Sequence, residues 1–130
     1  MNISDFTRKY YADIYSAIIS IDHNAFNKVV LLIEKAKKKS GKIILIGNDD
    51  IVILISSSGQ SKNIINAGRK ARKMGLSLIS LSGFLESNPL KELGDINLWV
   101  DSSEYNIVES AHQIWLLAVV DYLIESNQQK

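Results

Sequence analysis

Four serines and a glycine fall within six residues, Ser56-Ser57-Ser58-Gly59-Gln60-Ser61, directly behind the apolar run of residues 51–55. A helical pattern follows, so this cluster sits where a strand hands over to a helix. The first turn of a helix has backbone N–H groups without intrahelical partners and a partial positive charge, which together attract anions. Gly59 lets the backbone approach an anion closely, and the hydroxyls of Ser56, Ser58 and Ser61 can donate further hydrogen bonds. Each helix-end contact contributes roughly 0.3–1 kcal/mol. Millimolar binding needs about 4 kcal/mol, so several donors must converge. The chemistry this favours is phosphate binding. A capped turn without ligand uses the same residue types, although four hydroxyls exceed what a cap requires.

The elements around the cluster explain its placement. Residues 42–46 and 51–55 are continuous apolar runs, and residues 76–81 form a third strand candidate. Such runs suit strands covered on both faces, as in a parallel sheet flanked by helices. Residues 63–74 read as the helix between the second and third, closed by Gly75. Ligands of such sheets bind at the carboxyl ends of strands, where the serines lie. Two helices precede the sheet: Phe6, Tyr10, Ile14, Ala17, Ile18 and Ile21 recur at spacings of three and four, and Asp22 can cap the second. A short helix is expected from Asn88-Pro89 to Gly94. A half-exposed strand is expected over residues 96–100, and a long helix over 106–125 that is apolar nearly all round from Ile114 on.

The bulk properties bound the rest. At 130 residues the chain suits one domain. A net charge of +1 argues against a general nucleic-acid binder. The absence of cysteine leaves no thiolate chemistry. The first residues lack a signal-peptide layout. The apolar stretch 114–124 is interrupted by Asp121 and shorter than a bilayer span. The expectation is a cytoplasmic protein with no membrane partner.

Ile55 through Ser61, the helix ending Ala71-Arg72-Lys73-Met74-Gly75, and the strand running into Leu81-Ser82-Gly83 resemble the sugar isomerase (SIS) domain, with phosphoheptose isomerases the most similar group. The resemblance implies an α/β fold: a parallel sheet of three to five strands flanked by helices in three layers, with an N-terminal helical pair. It implies that Ser56, Ser58 and Ser61 contact the phosphate of a sugar phosphate, with Ser57, Gly59 and Gln60 beside them. Gly47 and Asn48 match the start of a further substrate-binding stretch. It also implies a homodimer or homotetramer, and allows a divalent metal such as zinc.

Two departures stand out. In the family a Gly-Asn-Gly-Gly-Ser stretch and a helix bearing a histidine and a glutamate follow the first strand; here Gly47-Asn48-Asp49-Asp50 leads straight into the next run. Four residues cannot join parallel neighbours, which need a dozen or more. The expectation is one domain, residues 1–130, lacking an internal segment near residues 48–50. In the last helix the family places a glutamine and, eight residues on, a histidine facing the sugar. Those positions are Glu109 and Leu117 or Ala118. Glu109 and His112, three apart and so on one helix face, are the candidate catalytic pair, with His112 as general acid/base or metal ligand; the plainer reading of His112 is a helix-start histidine bonded to a neighbour. The function implied is an aldose–ketose isomerase for sedoheptulose 7-phosphate or a relative. The alternative is a non-catalytic module that binds a phosphosugar and regulates a partner or assembles as an oligomer.

Overall fold

The computed structural model describes residues 3–38 and 50–128. The candidate strand 42–46, Gly47, Asn48 and the junction at residues 48–50, where a missing segment was expected, therefore lie outside the described residues except for Asp50. The order is α1 (Ile3–Ile19), α2 (His23–Lys38), β1 (Ile51–Ser56), α3 (Lys62–Lys73), β2 (Ser77–Ser82), α4 (Pro89–Leu93), β3 (Ile96–Trp99) and α5 (Tyr105–Gln128). The strands form a parallel sheet in the order β1-β2-β3.

Alternation along the strands builds two cores. Ile51, Ile53, Ile79, Leu81, Leu98 and Val100 point to one face, where α1, α2 and α5 close over them. Val52, Leu54 and Leu78 point to the other, against Ala71 of α3 and Leu93 of α4. Leu78, Ile79, Leu81 and Leu98 are fully buried, each worth about 1.5–3 kcal/mol in transfer terms. The result is the three-layer α/β arrangement, with the helical pair leading in.

Local chemistry sets the boundaries. The Asp22 carboxylate accepts from the N–H groups of Asn24 at 2.8 Å and Ala25 at 3.1 Å, capping α2. Gly75 takes φ +71° and ends α3, as a left-handed residue at this position does. The Leu76 N–H then closes on the Ala71 carbonyl at 3.1 Å. That bond keeps Leu76 out of the ladder, so β2 starts one residue later than the apolar run suggests. Asn88 caps α4 by accepting from the Lys91 N–H at 2.9 Å, and Pro89 holds the first helical position. Among the described residues β3 is bonded to β2 alone, and it keeps Ile96, Asn97 and Trp99 half-buried.

α5 covers the expected span 106–125 and runs slightly past both ends. Its segment Tyr105–Glu125 spans 21 residues with mean hydropathy 1.4, which by length and composition is enough to cross a bilayer. It is longer than the apolar stretch 114–124 because Ile107, Val108 and Ala111 continue the apolar pattern backwards. Those residues are buried against the sheet and α1. The Trp115 indole N–H donates to the Ile18 carbonyl at 2.8 Å, tying α5 to the end of α1.

Candidate functional site

The 56–61 loop lies between the carboxyl end of β1 and the start of α3. Its turn closes with the Gly59 N–H donating to the Ser56 carbonyl at 2.9 Å. Gly59 has φ +67°, a left-handed conformation costly for other residues. A Cβ there would also stand 1.9 Å from the Asn88 side-chain oxygen. The Ser56 hydroxyl donates to the Ser61 hydroxyl at 3.1 Å, bringing together two residues five apart in sequence. Ser58 Oγ accepts from the Gln60 N–H at 3.3 Å. Ser61 is the N-cap residue of α3, yet its side chain makes no capping bond. The unpaired amides of that first turn are therefore left to another acceptor. Ser56 is buried, Ser57 and Ser58 are half-buried, and Gln60 and Ser61 are exposed.

Two neighbouring segments complete the site. The loop after β2 is tied in by the Gly83 N–H donating to the Ser57 carbonyl at 2.8 Å, and α4 by the Leu90 N–H donating to the Gly59 carbonyl at 3.1 Å. From α5, Glu109 reaches the loop: the Ser57 hydroxyl donates to its carboxylate at 3.2 Å. Glu109 is exposed. It can accept a hydrogen bond or a proton at the edge of the 56–61 loop.

His112 lies one turn further and is buried, 2% exposed. Its Nε2 stands 3.1 Å from the Ser82 carbonyl; a carbonyl only accepts, so Nε2 carries the hydrogen. Nδ1 is buried and has no hydrogen-bond partner among the described residues. Burial lowers the His112 pKa below 6.5, partly offset by the Ser82 carbonyl and by the Glu109 carboxylate. The imidazole is thus held neutral. Trp115 packs near it, with ring centroids 6.1 Å apart.

The structure thus gathers Ser56, Ser57, Ser58, Gly59, Gln60, Ser61 and Glu109 at one place and sets His112 beneath it. Gly47 and Asn48 lie outside the described residues. Among those described, no three His, Cys, Asp or Glu side chains gather where a metal could sit. Glu109 and His112 are two groups, one short of the three side chains that would hold a metal. Sequence reasoning placed Asn88 only as a helix start. Its burial between the two loops needs the fold to be seen; the Asn-Pro pair was the one local signal.

A model of the SIS domain matches residues 24–120. A phosphoheptose isomerase of Campylobacter concisus (strain 13826) is 34% identical over 71 residues, 55% of this chain and 37% of that protein. The match therefore spans little more than a third of that curated relative. Among solved structures, a phosphoheptose isomerase from Francisella tularensis superposes with a TM-score of 0.81 at 18% identity, covering 96% of this chain and 100% of that one. The Vibrio vulnificus NanR protein complexed with ManNAc-6P superposes with a TM-score of 0.72 at 16% identity, covering 96% and 65%. At such identities the likeness is one of fold.

Proposed function

The chain belongs to the SIS domain family, and on that footing we propose that it binds a sugar phosphate in the 56–61 loop and acts as an aldose–ketose isomerase of the phosphoheptose type. The observation that carries this is the cluster of serine hydroxyls around a helix start that no side chain caps. A phosphate there receives the first-turn amides of α3 and the hydroxyls of Ser56, Ser58 and Ser61. Ser57, Gly59 and Gln60 shape the turn around it. The sugar then extends toward Glu109. Isomerisation removes a proton from the carbon next to the carbonyl, passes through an enediol, and returns a proton to the neighbouring carbon. Glu109 is the exposed base for that transfer, and His112 backs it from the buried side. Gly47 and Asn48 extend the substrate contacts, and the substrate is sedoheptulose 7-phosphate or a close relative. The reading includes a cytoplasmic address, assembly as a homodimer or homotetramer, and a domain lacking an internal segment near residues 48–50.

A second reading, a phosphosugar-binding module that regulates a partner, draws on Leu117 and Ala118. The resemblance sets a sugar-facing histidine there, and neither residue can move a proton. One pair of assays separates the two: turnover of sedoheptulose 7-phosphate, and calorimetric titration with the same compound. Turnover supports the isomerase. Binding without turnover supports the regulator. The absence of both removes the phosphosugar proposal.

A further inference from the structure

Asn88 is 1% exposed and lies between the two loops of the site. Its side-chain oxygen accepts from the Lys91 N–H at 2.9 Å, which is all that capping α4 requires. The other half of the carboxamide is not needed for a cap. Its Nδ2 donates to the Ser82 hydroxyl at 3.0 Å and the Leu85 carbonyl at 2.8 Å, with the Gly83 carbonyl at 3.4 Å. These bonds set the path of residues 82–88. The same carboxamide presses on Gly59, with its Oδ1 and Cγ at 1.9 and 2.2 Å from where a Cβ would stand.

The ties from this side to the serine loop run through segments that Asn88 orders. The Gly83 N–H holds the Ser57 carbonyl and the Leu90 N–H holds the Gly59 carbonyl. Gly83 lies in the chain that Nδ2 fastens, and Leu90 lies in the helix that Oδ1 caps. We propose that Asn88 is a positioning residue of the anion loop: its carboxamide, set against the glycine, holds the 56–61 turn in the shape that aims its hydroxyls and the α3 amides at a phosphate. This rests on the phosphosugar reading of that loop. Asn88 does not touch the ligand; it acts through Gly59, Gly83 and Leu90. The bare glycine and the buried amide form one fitted pair, so the loop's shape depends on a residue 29 positions away in sequence.

Three variants test the assignment. Asn88→Ala removes both halves of the carboxamide. Asn88→Asp keeps an acceptor for the Lys91 N–H, loses the amide donors and adds charge beside the loop. Val119→Ala lowers stability from the α5 core, where Val119 is 2% exposed, without touching the site. Affinity for inorganic phosphate and for sedoheptulose 7-phosphate is measured by calorimetry, melting temperature by calorimetric scan, and exchange of the Gly83 and Leu90 amides by NMR. The expected result is about a tenfold weaker Kd for Asn88→Ala and a larger loss for Asn88→Asp. Both amides exchange faster while the strand amides of β2 keep their protection. Val119→Ala loses as many degrees of melting temperature and binds like the parent. Wild-type affinity in both Asn88 variants overturns the assignment, and so does an equal affinity loss in Val119→Ala. If the parent binds neither compound, the phosphosugar reading fails. The exchange rates then decide for Asn88 alone: acceleration in Asn88→Ala supports its hold on the loop, and unchanged rates overturn it.

Discussion

A hydroxyl that completes a turn and one that faces a ligand respond differently to truncation. The Ser61 side chain makes no capping bond, and among the described residues its hydroxyl meets only that of Ser56. Ser61→Ala should therefore weaken sugar-phosphate binding about tenfold, or about 1.4 kcal/mol, with the melting temperature nearly unchanged. Ser58→Ala should behave alike, with a small added cost because Ser58 Oγ holds the Gln60 N–H. Unchanged affinity in both would remove the loop as the phosphate site. Glu109→Gln keeps the shape and the acceptor for Ser57 but cannot take a proton. Turnover should fall by about 10²–10⁴ while calorimetry still registers binding. His112 gives a pH signature. Its folded pKa lies below 6.5, so the unfolded chain binds the extra proton first as pH falls through 6.5. Stability then drops on acidification, by at most about 1.4 kcal/mol per pH unit from this group. Denaturant titrations at pH 7.5 and 5.5 should show that loss, and His112→Gln should shrink it. The serine cluster was legible because its signal is six contiguous residues. The Ser57–Glu109 bond joins residues 52 apart, and the burial of His112 under the Ser82 carbonyl depends on how α5 crosses β2; neither leaves a local mark.

Elements were legible where one local rule dominates. Continuous apolar runs marked β1 and β2, Asp22 marked the start of α2, and Asn88-Pro89 with Gly94 bracketed α4. They were less legible where two elements compete for one residue, as at Leu76, whose amide is taken by the end of α3. The buried face of α5 shows a related difficulty, because an all-round apolar helix carries little periodicity to say which residues face the sheet. Trp115 settles the orientation. It is 2% exposed, with its indole N–H on the Ile18 carbonyl. Truncation to alanine removes a large buried ring and the α1–α5 tie together. Trp115→Ala should cost about 3–5 kcal/mol, read from urea titrations. Trp115→Phe, which keeps most of the ring volume, should cost clearly less. Equal losses would mean that the hydrogen bond, rather than packing, joins the two helices.

At the scale of the whole molecule, the described chain leaves apolar surface that its own layers do not cover. On α5, Ile114, Leu117, Val120 and Ile124 are 40, 52, 50 and 51% exposed. Their spacings of three and four place them on one stripe, opposite the one where Val108, Ala111, Trp115 and Val119 enter the core. On α1, Tyr11, Tyr15 and Ile19 are 66, 64 and 57% exposed, again at spacings of four. Scattered exposed apolar residues are ordinary, but two regular stripes on helices that pack against each other exceed scatter. Covering such side chains contributes about 1.5–3 kcal/mol each when burial is complete. A handful on each subunit offsets the freedom lost on association. Light scattering coupled to size exclusion should therefore give a dimer or a tetramer at micromolar concentration. Leu117→Asp combined with Tyr15→Asp puts charge in the centre of both stripes while leaving the sheet cores intact. That variant should elute as a monomer with an unchanged far-ultraviolet circular dichroism spectrum. A parent that is monomeric at 100-fold higher concentration sinks the assembly reading, and the exposed stripes would then need a different partner.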